Sequence, residues 1–127
     1  MTLIQKIAIV KSKLRRYDFE SGYSHPAEPD IQELFDFHEN DPEFLNMFEE
    51  DRGLATFIEC LRHLDLSPAS KTYWVKRGLS SPDLQVRWAT VDSMEDWEET
   101  KDLLRNHKES CKGLCETIAN IISLWDK

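Results

Sequence analysis

The segment Asp36-Phe37-His38-Glu39-Asn40-Asp41 gathers one imidazole and three carboxylates within six residues, a set of groups that could hold a metal ion. A helix-borne metal site needs donors at i and i+4 on one face and a second donor cluster, as in H-E-x-x-H. This segment has neither, and His38 continues the apolar spacing of Ile31, Leu34 and Phe35, as a core histidine would. Cys60 and His63, at i and i+3 in "ECLRH", share one side of a helix and could form a thiol–imidazole pair. No third group marks them as a nucleophile site, and a buried cysteine ordinarily behaves as a small apolar residue. Cys111 and Cys115 fall on an apolar stripe and read the same way. The four glycines form no phosphate-binding loop, no G-x-S-x-G and no Walker sequence. The expectation is a non-enzyme with no metal and no cofactor. An enzyme working through His38 and Glu39, or through Cys60 and His63, is the minor alternative.

Charge is more informative than any motif. The net charge is −8, but residues 1–17 hold five bases (Lys6, Lys11, Lys13, Arg15, Arg16) and no acid. The remainder therefore carries 24 acids against 11 bases, a net of −13. Between Asp18 and Asp51 stand twelve acids, among them Glu28, Asp30, Glu33, Asp36, Glu39, Asp41 and Glu43, with not one Lys or Arg. Phe19, Tyr23, Phe35, Phe37, Phe44 and Phe48 are interspersed there, and a second acidic group follows at Asp92, Glu95, Asp96, Glu98, Glu99 and Asp102. So dense a run of one sign repels itself, and it either keeps the protein soluble or meets a basic partner. Phe37, flanked by Asp36 and His38, is placed either at the rim of that face as an anchor or at the edge of the core. Direct nucleic-acid binding is disfavoured, because affinity for phosphate comes from Lys and Arg, and the chain has a deficit of both against its acids. The N-terminal bases flank an apolar stripe, as on the solvated side of a core helix.

The elements that must position these groups are helices. Leu3, Ile7, Val10, Leu14 and Tyr17 recur at spacings of four and three, predicting a helix over 2–16. Further helices are predicted over 29–38, 42–50 with Gly53 ending or bending it, 54–64, 68–77 stopped by Gly78, 82–92 on a Leu84, Trp88, Val91 stripe, 94–106 around Trp97 and Leu104, and 109–125. No segment alternates with period two for long enough to make a strand. The fold class is all-α: one domain of seven or eight short helices in an irregular bundle or a HEAT-like stack of hairpins. Four of the five prolines, Pro29, Pro42, Pro68 and Pro82, stand six residues before Phe35, Phe48, Trp74 and Trp88. Proline suits the first turn of a helix, and Ser67 and Ser81 before two of them are expected to be N-caps.

"LSSPDLQVRWATVDSM" contains a proline–acid start, Pro82-Asp83, followed by the pair Val86-Arg87 and by Ala89. Over residues 80–94 it resembles a helix of HEAT or armadillo repeats, which implies stacked hairpins with a protein-binding face. In size, acidity and want of catalytic motifs the whole chain resembles the bacterial immunity proteins that neutralise nuclease toxins. That resemblance implies stoichiometric occlusion of a basic toxin domain, with Asp30, Glu33, Asp36, Phe37, Glu39, Asp41 and Glu43, together with Glu95, Glu98 and Glu99, as the contact residues. The alternative is a helical-repeat adaptor whose Trp-rich middle makes the contacts. Three cysteines, an odd number, and an N-terminal apolar run without the layout of a signal peptide lead to the expectation of a cytoplasmic protein, monomeric when free and bound neither to membrane nor to nucleic acid.

Overall fold

Thr2 opens the first helix: its hydroxyl accepts from the Gln5 N–H at 3.2 Å while the Gln5 side chain accepts from the Thr2 N–H at 2.8 Å, a reciprocal capping box. The computed structural model describes residues 1–17, 24–48 and 53–127. Within them lie eight α-helices and no strand: α1 (Leu3–Arg16), α2 (Glu28–His38), α3 (Pro42–Leu45), α4 (Leu54–Leu61), α5 (Pro68–Leu79), α6 (Leu84–Met94), α7 (Lys101–Arg105) and α8 (Lys112–Trp125), with a 3-10 turn at Glu98–Thr100 leading into α7. The protein is an all-α bundle, and no helix among the described residues is long and apolar enough to cross a membrane.

The core is built around Trp74, which is 1% exposed. Phe57 lies 4.8 Å from it between ring centroids, Phe44 5.7 Å, and Phe35 and Phe48 each 6.4 Å. Three of the four aromatics that follow a proline by six residues, Phe35, Phe48 and Trp74, thus converge on one cluster. The fourth does not. Trp88 is half-buried against Gly113, and Leu84, its predicted partner, is 40% exposed. The buried residues of α6 are instead Val86, Ala89, Thr90, Val91, Ser93 and Met94, because this helix is covered by α4 on one side and α5 on another. Its buried hydroxyls are satisfied within the helix: Thr90 donates to the Val86 carbonyl at 2.7 Å and Ser93 to that of Ala89 at 2.9 Å.

Several predicted boundaries move for identifiable reasons. Ser67 is an N-cap, accepting from the Ser70 N–H at 3.1 Å. Ser81 is not. Asp83 caps α6 by accepting from the Gln85 N–H at 2.9 Å, and Ser81 accepts from the Asp83 N–H one step earlier. Helix α2 begins at Glu28 with Pro29 second, and α3 is only one turn long, although Met47 and Phe48 beyond it are buried. Gly53 does not end α3; it precedes α4 at φ +82°, a left-handed conformation that glycine adopts without strain. The helix predicted over 94–106 divides into the end of α6, the 3-10 turn and α7. Helix α8 starts at Lys112, so Glu109 lies before it, and Cys115 is exposed while Cys111 is a half-buried N-cap.

Glu109 staples this C-terminal part together. Its carboxylate, 2% exposed, accepts two bonds from the Arg87 guanidinium at 3.0 and 3.2 Å, one from the Cys111 N–H at 2.9 Å, and lies 3.0 Å from His107 Nε2. Burial opposes its ionisation, but the bonds from Arg87, His107 and Cys111 outweigh that and hold the carboxyl at about 2. Because the group is held below its ordinary value, its stabilisation is complete above about pH 4.5 and is lost as pH falls toward about 2. Glu109→Gln should therefore lower stability by on the order of 2 kcal/mol at neutral pH, and the difference from the wild type should shrink in urea titrations between pH 5 and 2.5.

Gly78 is not the stop of α5 but lies inside it, where the helix crosses α6. A Cβ there would come within 1.9 Å of Thr90 Oγ1 and 2.9 Å of Thr90 Cβ, so only glycine admits this approach. Gly78→Ala should destabilise by about 2 kcal/mol or more despite alanine's better helix propensity, as overpacking does, and Thr90→Ala in the same chain should recover part of the loss.

Candidate functional site

Because Ile31, Leu34 and Phe35 turn inward, the acids of α2 are distributed over its two flanks and its crest. Asp30 and Glu33 face α1, where Lys13 Nζ lies 2.5 Å from Asp30 and Lys6 Nζ 3.1 Å from Glu33. The basic and acidic poles that look separate in the sequence are thus neighbours on antiparallel helices. On the opposite flank Glu39 accepts from Ser67 Oγ at 2.9 Å and Ser70 Oγ at 2.8 Å, at the N-terminus of α5, where the helix dipole favours a carboxylate. Asp41 lies 2.7 Å from His38 Nδ1, so His38 is a half-buried, paired side chain, short of full core burial. Asp36 is exposed on the crest and accepts from Gln32 Nε2 at 3.0 Å. Phe37 beside it is 72% exposed, with Lys6 Nζ 5.9 Å from its ring centroid. It belongs to the surface and not to the edge of the core. Glu43 is exposed on α3. Asp18, Phe19, Glu20, Tyr23, Glu49, Glu50 and Asp51 lie outside the described residues.

The second acidic group is brought to the same side of the molecule by the segment joining α4 to α5. The Asp65 N–H donates to Gln32 Oε1 at 2.8 Å and its carbonyl accepts from Gln32 Nε2 at 3.0 Å, tying this segment to α2. Arg62 reaches Asp96 at 3.0 Å and Lys71 reaches Glu99 at 2.6 Å, tying it and the first turn of α5 to the 3-10 region. The 62–71 segment, which itself carries the exposed Asp65, is therefore bordered by the end of α2 with Asp36 and Glu39 on one side and by the Asp96–Glu99 region on the other. The charge is only partly balanced. Burial, and then repulsion from Asp92, raises the Glu59 carboxyl above its ordinary value, with Arg62 opposing. Burial and repulsion from Glu95 do the same to Asp92, against the pull of Arg62. Glu99 is lowered by its bond from Lys71.

Asp65 and Glu59 belong to this surface although neither sits in a charge run that would mark it in the sequence. Their signal was position alone: Glu59, Arg62 and Asp65 stand at spacings of three, on or just past the end of a helix. At the C-terminal end of α2, residues 36–41 line a small polar cleft of about 170 Å³. The surface as a whole can receive cationic side chains over a wide area.

Cys60 and His63 meet different surroundings in the fold. His63 lies 3.2 Å from the buried carboxylate of Glu28, which also accepts from the His25 N–H at 2.7 Å, so the imidazole is oriented toward an acid rather than toward Cys60. Cys60 is fully buried, and burial followed by the charges of Glu28 and Glu59 pushes its thiol up to about 12. No group of three or more His, Cys, Asp or Glu side chains among the described residues could hold a metal ion. In the native protein at pH 8 a thiol reagent should label Cys115 and leave Cys60 untouched until the chain is unfolded. Peptide mapping by mass spectrometry checks this, and equal labelling of both would revive a nucleophilic role for Cys60. No protein-family model matches the chain, and neither the curated proteins nor the solved structures include a match to it.

Proposed function

We propose that this chain is a small acidic binding protein that neutralises a basic partner by covering it stoichiometrically, in the manner of an immunity protein for a nuclease-type toxin. One observation carries the proposal: two acidic runs about sixty residues apart in the sequence border a single segment, 62–71, and present exposed carboxylates on both sides of it. A surface of one sign raises the encounter rate with an oppositely charged protein and disfavours wrong partners. Against a nuclease these carboxylates stand in for phosphates, meeting the Lys and Arg that otherwise bind nucleic acid. Phe37, exposed beside Asp36, supplies the apolar anchor that such a surface needs for a slow dissociation. The adaptor alternative has less support, since Trp74 and Trp97 are buried and only Trp88 of the Trp-rich middle is partly exposed.

The test is kinetic and uses a basic nuclease-toxin domain as the partner, with surface plasmon resonance at several salt concentrations. Changing Asp36, Asp65, Glu95 and Glu98 to their amides removes four charges that are exposed and form no ion pair among the described residues, so the fold should be unaffected. Association should slow by about tenfold or more at low ionic strength and lose most of its salt dependence. Phe37→Ala should leave the melting temperature unchanged, accelerate dissociation and weaken binding by on the order of 2 kcal/mol. Unchanged association and unchanged salt dependence in the amide variant would reduce the acidic surface to a solvated face and remove the basis for this function.

A further inference from the structure

Helix α1 is apolar on two sides. Its inner stripe, Ile7, Val10 and Leu14, is buried in the bundle, yet its N-terminal half also turns Ile4, 68% exposed, and Ala8 to the outside. Ile4 itself lines one edge of an open groove of about 420 Å³ that runs between α1 and α3, with Ile7, Pro42 and Met47 also among its walls and with Lys11 and Glu43 among its lining residues. Those two charges are uncommitted. Lys6 and Lys13, on the other flank of α1, pair with α2, whereas neither Lys11 nor Glu43 forms an ion pair or hydrogen bond among the described residues.

We infer that this face is an interface with a second copy of the chain: the outer side of α1, led by Ile4, seats in the α1–α3 groove of the partner copy, and Lys11 of each copy meets Glu43 of the other. The rim charges select this occupant. A uniformly basic partner would be repelled by Lys11, and an anionic lipid surface by Glu43 and by the net charge of −8. A surface holding one uncommitted cation and one uncommitted anion around an apolar groove is complementary to itself. A two-fold axis then forms the ion pair twice, the symmetric arrangement in which both copies use the same patch. Ala8, beside Ile4 on the outer side, is small enough to let two helices approach closely. The net charge opposes association at long range, but at physiological salt the screening length is about 8 Å, which leaves the contact itself to decide. The groove is formed by α1 and α3, whereas the carboxylates that carry the proposed function lie around the 62–71 segment, so the inference does not rest on the proposed function.

Sedimentation velocity from micromolar to millimolar protein at physiological salt tests it. The wild type should show a reversible monomer–dimer equilibrium. Ile4→Glu, Glu43→Lys and Lys11→Glu should each raise the dimer dissociation constant by about tenfold or more, as loss of a central contact does, with no change in the melting temperature of the dilute, monomeric protein. The double variant K11E/E43K should restore dimerisation toward the wild-type value. A monomer at every concentration overturns the inference. So does a dimer indifferent to Ile4→Glu, which would place the interface elsewhere, and so does a double variant as weak as the single ones, which would show that the two charges never meet.

Discussion

The packing of aromatic rings around Trp74 is the contact on which everything else in this protein depends. Phe35 comes from α2, Phe44 from α3, Phe48 from the turn after it and Phe57 from α4, and all lie within 6.4 Å of Trp74 between centroids. Burial of rings this large, with about 0.5–1.5 kcal/mol more for each well-oriented pair, gives these short helices a stability they would not have alone. The cluster also fixes which way each helix faces. With Phe35 turned inward, Asp36 and Phe37 have to point outward. With Trp74 inward, the first turn of α5 presents Ser67 and Ser70 to Glu39 and Lys71 to Glu99.

Much of this was legible in the sequence because proline and aromatic residues report on the same geometry. A proline in the first turn sets the register of a helix, and a residue six positions later lies in its second turn or just beyond it, at a constant angle from the start. Pro29 and Pro68 obey this rule; after Pro42 the helix lasts one turn only, and Phe48 reaches the same cluster from the turn beyond it. Pro82 breaks it, since Asp83 is the cap of α6 and the helix begins after the proline. The predicted stripe of α6 failed for a second reason. A helix covered from more than one side has no single apolar face, and its closest contacts use small or hydroxylated residues, Ala89, Thr90 and Ser93, whose polarity is absorbed by carbonyls one turn back. Gly78 looked like a stop because propensity counts glycine as a breaker, whereas here the missing side chain is what allows α5 and α6 to touch.

The site was legible as an excess of acid and illegible as an arrangement. Linear charge runs do not show that α1 folds back along α2, seventeen residues away at Lys13 and Asp30, so the run from Asp18 to Asp51 looked less compensated than it is. Nor do they show that Gln32, a neutral residue, bonds both backbone groups of Asp65 and so joins α2 to the segment that carries the second acidic group. Both contacts depend on tertiary placement that periodicity cannot specify. The same holds for Cys60 and His63: they share a helix side, but burial and then the charge of Glu28 hold the Cys60 thiol protonated, and His63 lies against that same Glu28, more than thirty residues earlier in the chain.

The distribution of counter-ions divides the acids into two populations with different physical roles. Asp30, Glu33, Asp41 and Glu109 are each met by a base or an imidazole and hold helices or turns together. Glu59, Asp92 and Asp96 lie near Arg62, and Glu59 and Asp92 are harder to ionise than isolated carboxyls chiefly because they are partly buried and secondarily because a neighbouring acid, Asp92 or Glu95, repels their charge. Repulsion of that kind opposes folding, and salt or cations on another molecule would relieve it further than Arg62 does alone. A cationic side chain arriving at this place would therefore gain its own attraction and also release repulsion already present between the acids. That second contribution is absent at acids already paired. By this reasoning the 62–71 segment and the turn after α6, more than the longer acidic run of α2, are where a basic partner would be held most strongly.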